Sequence, residues 1–104
     1  MAKEIRLPTH RPPTTPGELL ARVFLPETGM TITAFAGHIG IGRDRLSEII
    51  HGRRRVTPDT AMRLSKAFRN SVQFWLNAQA ATDLYEAQRT VNLEEIEKIQ
   101  PVFA

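Results

Sequence analysis

Glycine 40 stands between two short stretches of helical periodicity, with an alanine four residues before it. Phe35, Ala36 and Ile39 recur at helical spacing and predict a helix that begins near Thr33. That helix ends at Gly40, where glycine takes positive φ without strain. Leu46, Ile49 and Ile50 predict a second helix from about Arg43 to His51, with Gly52 as its stop. Two helices joined this tightly cross steeply and nearly touch at their junction, so the first must carry a small residue there. Ala36 supplies it, and Gly37 leaves further room. Phe35, Ile39, Ile41, Leu46 and Ile49 then share an inner face. The same spacing also suits an ordinary helical hairpin in an all-α core.

The remaining punctuation extends the pattern. Pro8, Pro12 and Pro13 forbid a regular helix in residues 1–14, which are expected to form an extended N-terminal arm. Thr15-Pro16-Gly17-Glu18 combines a cap, a proline at the first helical position and a capping-box glutamate. Leu19, Leu20, Val23 and Phe24 give that first helix an apolar face, and Pro26 and Gly29 are expected to stop it. Thr57-Pro58 opens a fourth helix whose buried face holds Ala61, Leu64, Ser65 and Phe68. Ser71 caps a fifth, from about Val72 to Gln88, containing Phe74, Trp75, Leu76, Leu84 and Tyr85. Asn92-Leu93-Glu94-Glu95 predicts a short last helix before Pro101. No segment alternates strictly, so the expected class is all-α, with one helical domain over 15–90 and a C-terminal tail over 91–104.

At 104 residues, 41% of them apolar, the chain supports one modest core. It contains no cysteine, which excludes disulfides and thiolate metal sites. No apolar run approaches the roughly 20 residues of a membrane helix, and the N-terminus lacks an apolar stretch of signal-peptide length. A cytoplasmic setting and no membrane partner are expected.

Charge is uneven along the chain. Residues 41–70 carry eight arginines and lysines against three carboxylates, whereas residues 71–104 carry two against five. A basic region in so small a domain is the footprint of a polyanion partner, although a solvated, unevenly charged surface has the same composition. The second helix of the pair tells more. With Leu46, Ile49 and Ile50 inward, Asp44, Ser47, Glu48 and His51 face out, flanked by Arg43 and Arg45. In helix-turn-helix docking, residues near the start of this helix reach base edges in the major groove of double-stranded DNA. Arginine donates two hydrogen bonds to guanine, and a carboxylate accepts from cytosine. Arg43, Asp44, Arg45, Ser47 and Glu48 are therefore the candidate base readers, with Arg45–Glu48 pairing as the alternative for those two. Thr33, His51, Arg53, Arg54 and Arg55 are the candidate phosphate contacts, which position without reading sequence. A two-fold homodimer would set two such helices about 34–36 Å apart and select a palindromic site. Trp75, Leu76, Leu84 and Tyr85 are the candidate dimerisation residues, a core role being the alternative for the aromatics.

Catalytic chemistry finds little support. Asp44, Glu48 and His51 share a face, but a lone helix coordinates a metal poorly and nothing orients the histidine. Ser47 and His51 lack a third group and an oxyanion cradle. His10 and His38 stand alone, and no glycine loop cradles a phosphate. No metal, cofactor or enzymatic activity is expected.

The motifs together resemble the HigA-type antitoxins, the VapI-like branch of the Xre helix-turn-helix proteins. The resemblance rests on Pro16-Gly17-Glu18-Leu19-Leu20, the Ala36…Gly40 turn and the stretch from Ser47 to Arg54. It rests also on Thr57-Pro58-Asp59-Thr60-Ala61, Leu64, Lys66-Ala67-Phe68 and Phe74-Trp75-Leu76-Asn77, and covers roughly residues 15–90. It implies a five-helix lambda-repressor-like domain with a C-terminal helical extension, homodimerisation and binding to a palindromic operator. It also implies neutralisation of a cognate HigB-like toxin, usually a small basic mRNA endonuclease. A stand-alone regulator with no toxin is the alternative. Two positions depart from the pattern. Gly42 replaces the serine or threonine cap, and Ile32 replaces the polar residue that often begins the second helix.

Overall fold

The computed structural model describes residues 11–103 and is helical, with no strand among them. Residues 1–10 of the expected arm, His10 included, lie outside the described residues; Arg11–Thr15 carry no helix.

The first helix, α1, is continuous from Pro16 to Thr28 but changes its winding. Pro16–Leu19 is α-helical, Leu20–Phe24 is π-helical and Leu25–Thr28 is α-helical again. Its start is the expected capping box: Thr15 Oγ1 accepts from the Glu18 N–H (3.1 Å), and Glu18 Oε1 accepts from the Thr15 N–H (3.5 Å). Pro26 does not stop the helix, contrary to the sequence expectation. A proline inside an α-helix collides with the carbonyl four residues back and removes one donor. The wider winding before it, in which the Leu25 N–H reaches back five residues to Leu20 O, starts a new α-turn with proline in its first positions. Gly29 ends the helix with φ 69°.

Four more helices complete the core. They are α2 (Ile32–Ile39), α3 (Arg43–Ile50), α4 (Pro58–Phe68) and α5 (Val72–Thr90), followed by the short α6 (Leu93–Glu97). Thr31, Thr57, Ser71 and Asn92 each cap the helix after them through a side-chain oxygen. The Thr31 cap moves the start of α2 one residue earlier than the apolar spacing had placed it.

An aromatic cluster fills the centre. Phe24 meets Phe68 and Trp75 at 4.9 and 5.1 Å between ring centres, and Phe35 stacks on Phe68 at 5.1 Å. Leu20, Leu46, Ala61 and Leu64 are fully buried around it. Trp75 is 0% exposed and donates its indole N–H to Asn70 Oδ1 (2.8 Å). The assignment of Trp75 to dimerisation is therefore corrected: a second subunit cannot touch it. Leu76 packs against the core while partly buried, whereas Leu84 is 43% exposed. Tyr85 is half-buried, with Arg89 over its ring. Val23, expected on the apolar face of α1, is 48% exposed.

Gly17 explains how α1 meets α3. It is buried, and a β-carbon there would lie 2.8 Å from the Ile50 carbonyl carbon and nearer still to the carbonyl oxygens of Ile49 and Ile50. The backbone of α1 rests directly on the last turn of α3.

Candidate nucleic-acid interface

The turn between α2 and α3 is closed twice. Gly40 adopts φ 76°; its N–H donates to Gly37 O (3.2 Å), and the Ile41 N–H donates to Ala36 O (3.0 Å). This pattern satisfies carbonyls that a helix end otherwise leaves orphaned. Arg63, from α4, closes the rest by donating Nη1 to Ile39 O (2.8 Å) and Gly40 O (3.2 Å). Asp59 holds Arg63 through Nε at 3.0 Å, and that hydrogen bond draws the Asp59 carboxyl below its ordinary pKa, as does a lesser one from Arg45. Ala36 is 1% exposed at the helix crossing, as expected. Gly37 is exposed, and a methyl group placed on it would meet nothing within 4 Å, so the crossing does not need this glycine.

Asp44 is freely exposed on α3, and Arg43 lies beside it, its Nε donating to Thr33 Oγ1 on α2 (3.0 Å). Ser47 and Glu48 follow on the same helix, half-buried. Glu48 accepts from Arg54 Nη2 (3.1 Å) rather than from Arg45. His51 Nδ1 lies 2.8 Å from Ser47 O, so this nitrogen carries the proton and Nε2 is left for other partners. Glu48 and His51 thus take separate partners, and Asp44, Glu48 and His51 are not drawn together as a metal cluster would be.

Arg45 is corrected as a base reader. Its side chain is 31% exposed and turns to α4, where Nη2 donates to Thr60 Oγ1 (2.6 Å) and Asp59 Oδ2 (3.2 Å). It braces the recognition helix instead of facing a groove. Arg55 is likewise engaged, because both ends of its guanidinium meet Asp83 of α5, with Nε at 3.4 Å. Asp83 raises the Arg55 pKa, and the Arg55 hydrogen bond lowers that of Asp83. Arg53 is exposed, and its backbone N–H donates to Glu48 O (2.8 Å). Thr33 is exposed near the start of α2.

Gly42 caps α3 in an extended conformation with no side-chain hydrogen bond, leaving first-turn N–H groups of α3 open to an acceptor. Ile32 packs its side chain against the core, which accounts for an apolar residue at that position. Asp59, Thr60, Arg63, Gln79 and Asp83 were missed by the sequence reading as the partners that position this surface. The Asp59–Arg63 spacing of four residues was a visible signal; the contacts 14 to 28 residues apart were not.

The family profile described as Helix-turn-helix matches residues 20–75. The chain is 38% identical over 93 residues to the uncharacterized HTH-type transcriptional regulator YbaQ of Escherichia coli (strain K12), covering 88% of this chain and 82% of YbaQ. It is 36% identical over 95 residues to antitoxin HigA-1 of Vibrio cholerae, covering 91% and 89%. The solved structure of Pseudomonas aeruginosa antitoxin HigA with the higBA promoter superposes with a TM-score of 0.79 at 33% identity, covering 89% of this chain and all of that one.

Proposed function

The chain belongs to the Helix-turn-helix family, in its HigA-like antitoxin branch, and on that premise we propose that it is a sequence-specific DNA-binding antitoxin. It represses its own operon at a palindromic operator and neutralises a small HigB-like mRNA endonuclease toxin. The observation that carries the reading is the surface of α3: Arg43, Asp44, Ser47 and Glu48 sit on a helix whose turn is locked by Gly40 and Arg63. Residues 15–90 form the reading unit and 91–104 an extension. Arg43, Asp44, Ser47 and Glu48 read bases. Thr33, His51, Arg53 and Arg54 contact phosphates, joined by the uncapped N-terminus of α3. Leu84 and Tyr85, with the outer edge of Leu76, meet a second subunit.

The protein works in the cytoplasm without a catalytic role; among the described residues no helix is long and apolar enough to cross a membrane. The test is a gel shift on the chain's own promoter across a salt series. Binding must weaken steeply, because each neutralised phosphate contributes a log–log slope of about −0.9. Folded protein that shifts nothing at low salt would defeat the DNA reading. Toxin neutralisation is tested separately, by co-expression and copurification with the product of any small basic reading frame found beside the gene. A second reading is a stand-alone transcriptional regulator, and the likeness to YbaQ, described as an HTH-type transcriptional regulator, supports its regulatory part. Failure to rescue growth, with operator binding intact, selects it.

A further inference from the structure

We infer that Asp83 and Gln79 are positioning residues for DNA binding, docking the arginine loop onto α5 through Arg55, which serves as a tether and not as a phosphate contact. The inference rests on the DNA-binding reading above. Gln79 is 7% exposed and bridges the two elements. Its Oε1 accepts from the Val56 N–H (2.8 Å), and its Nε2 donates to Asp83 Oδ1 (2.9 Å). Asp83 in turn accepts both guanidinium ends of Arg55. The ring closes through the Arg55–Val56 peptide, so two consecutive residues of the loop are fixed to one turn of α5. A buried amide satisfied at both ends is costly to open, since each partner lost leaves a desolvated polar atom behind.

Arg54, one residue earlier, goes the other way, to Glu48 on the recognition helix. Neighbouring side chains thus pull the loop toward α3 and toward α5, and the segment between them has little freedom. Arg55 could reach a phosphate only by abandoning a two-pronged carboxylate partner, the arrangement in which arginine binds most strongly. The next residues of α5 after Asp83 are Leu84 and Tyr85, assigned above to the subunit contact. The tether therefore joins the helix that would set the spacing between two readers to the loop that would grip the phosphates.

The test compares Arg55→Ala, Asp83→Asn and the double variant in the full chain, by operator titration over a salt series and by exchange of the Val56 amide proton. A tether predicts that both single variants weaken operator binding by about threefold to thirtyfold. The double variant is then no worse than either single, the salt slope keeps its wild-type value, and Val56 exchanges faster in all three. A phosphate role for Arg55 predicts opposite signs: Arg55→Ala flattens the slope by about 0.9, and Asp83→Asn tightens binding. That outcome, or an unchanged Val56 amide, overturns the inference while leaving the DNA reading intact. Wild-type protein that binds no operator DNA overturns both.

Discussion

Replacing Gly17 with alanine adds a single methyl at the point where α1 touches the end of α3. That methyl would lie 2.8 Å from the Ile50 carbonyl carbon and closer to two carbonyl oxygens, whereas ordinary carbon–oxygen contacts begin at about 3.3 Å. The neighbours are backbone and cannot rotate away, so the helices must part. Overpacking of this kind costs about 1–3 kcal/mol, and rigid neighbours place it at the upper end. Alanine returns part of this, at most about 1 kcal/mol, through its better helix propensity. The net loss is about 2 kcal/mol, which lowers the melting temperature by roughly 8–16 °C for a domain of this size. Circular dichroism melts at fixed protein concentration measure it, the concentration being held because any subunit association would also shift the transition. Gly37→Ala is the matched control: it adds the same methyl to α2, meets nothing within 4 Å and should raise stability by about 0.5–1 kcal/mol. A Gly17→Ala protein that melts at or above the wild-type temperature would refute the backbone-contact reasoning.

Arg63→Ala removes the donor from Ile39 O and Gly40 O and should cost about 1 kcal/mol by urea denaturation, because the side chain is partly exposed; no loss would mean that water closes the turn equally well. Arg43→Ala should relax preference at one base pair by about 1–3 kcal/mol, whereas Arg54→Ala should weaken operator and random DNA alike, as read by competition gel shifts. Equal loss on random DNA for Arg43→Ala would return that residue to the phosphate contacts. Gly42→Ser supplies the missing cap on α3 and should add a few tenths of a kcal/mol in thermal melts. Arg55 holds the Asp83 pKa below its unfolded value, so the stability from that pair is present above about pH 4 and disappears as pH falls through the lowered folded value. The stability difference between wild type and Asp83→Asn should thus be flat at neutral pH and vanish once the carboxyl is protonated in both states; a difference that persists there contradicts the ion-pair origin.

Local chemistry was legible along the chain. Thr15, Thr57, Ser71 and Asn92 announce their helices through a capping oxygen, and Gly40 and Gly52 announce the ends of α2 and α3 by the conformation only glycine takes cheaply. The inward positions Phe35, Ala36, Leu46 and Ile49 followed from period alone. Pro26 misled because a proline argues for a stop unless the winding before it changes, and nothing local marks a π-turn. The site was legible as a face but not as a set of partners. Arg45 and Arg55 resemble their neighbours in sequence, yet a carboxylate on α4 captures one and a carboxylate on α5 the other. Those partners come from helix packing, which no spacing along the chain reveals. The same holds for Trp75, whose burial depends on Phe24 and Phe68 arriving from two other helices.

The recognition helix divides its work by face. Leu46 and Ile49 anchor it from beneath and Arg45 braces it from the side, while Asp44 projects into solvent and Ser47 interacts only along its own helix. The residues that hold the fold are therefore not the residues that would name the operator. If Asp44 and Ser47 read bases as proposed, new addresses could be written at those positions without renegotiating the core, and duplicated copies of such a gene could diverge to separate operators and cease to cross-talk. A designer can use the same separation, keeping the Arg45–Asp59–Arg63 bracing as a fixed mount and exchanging the outward side chains as interchangeable type.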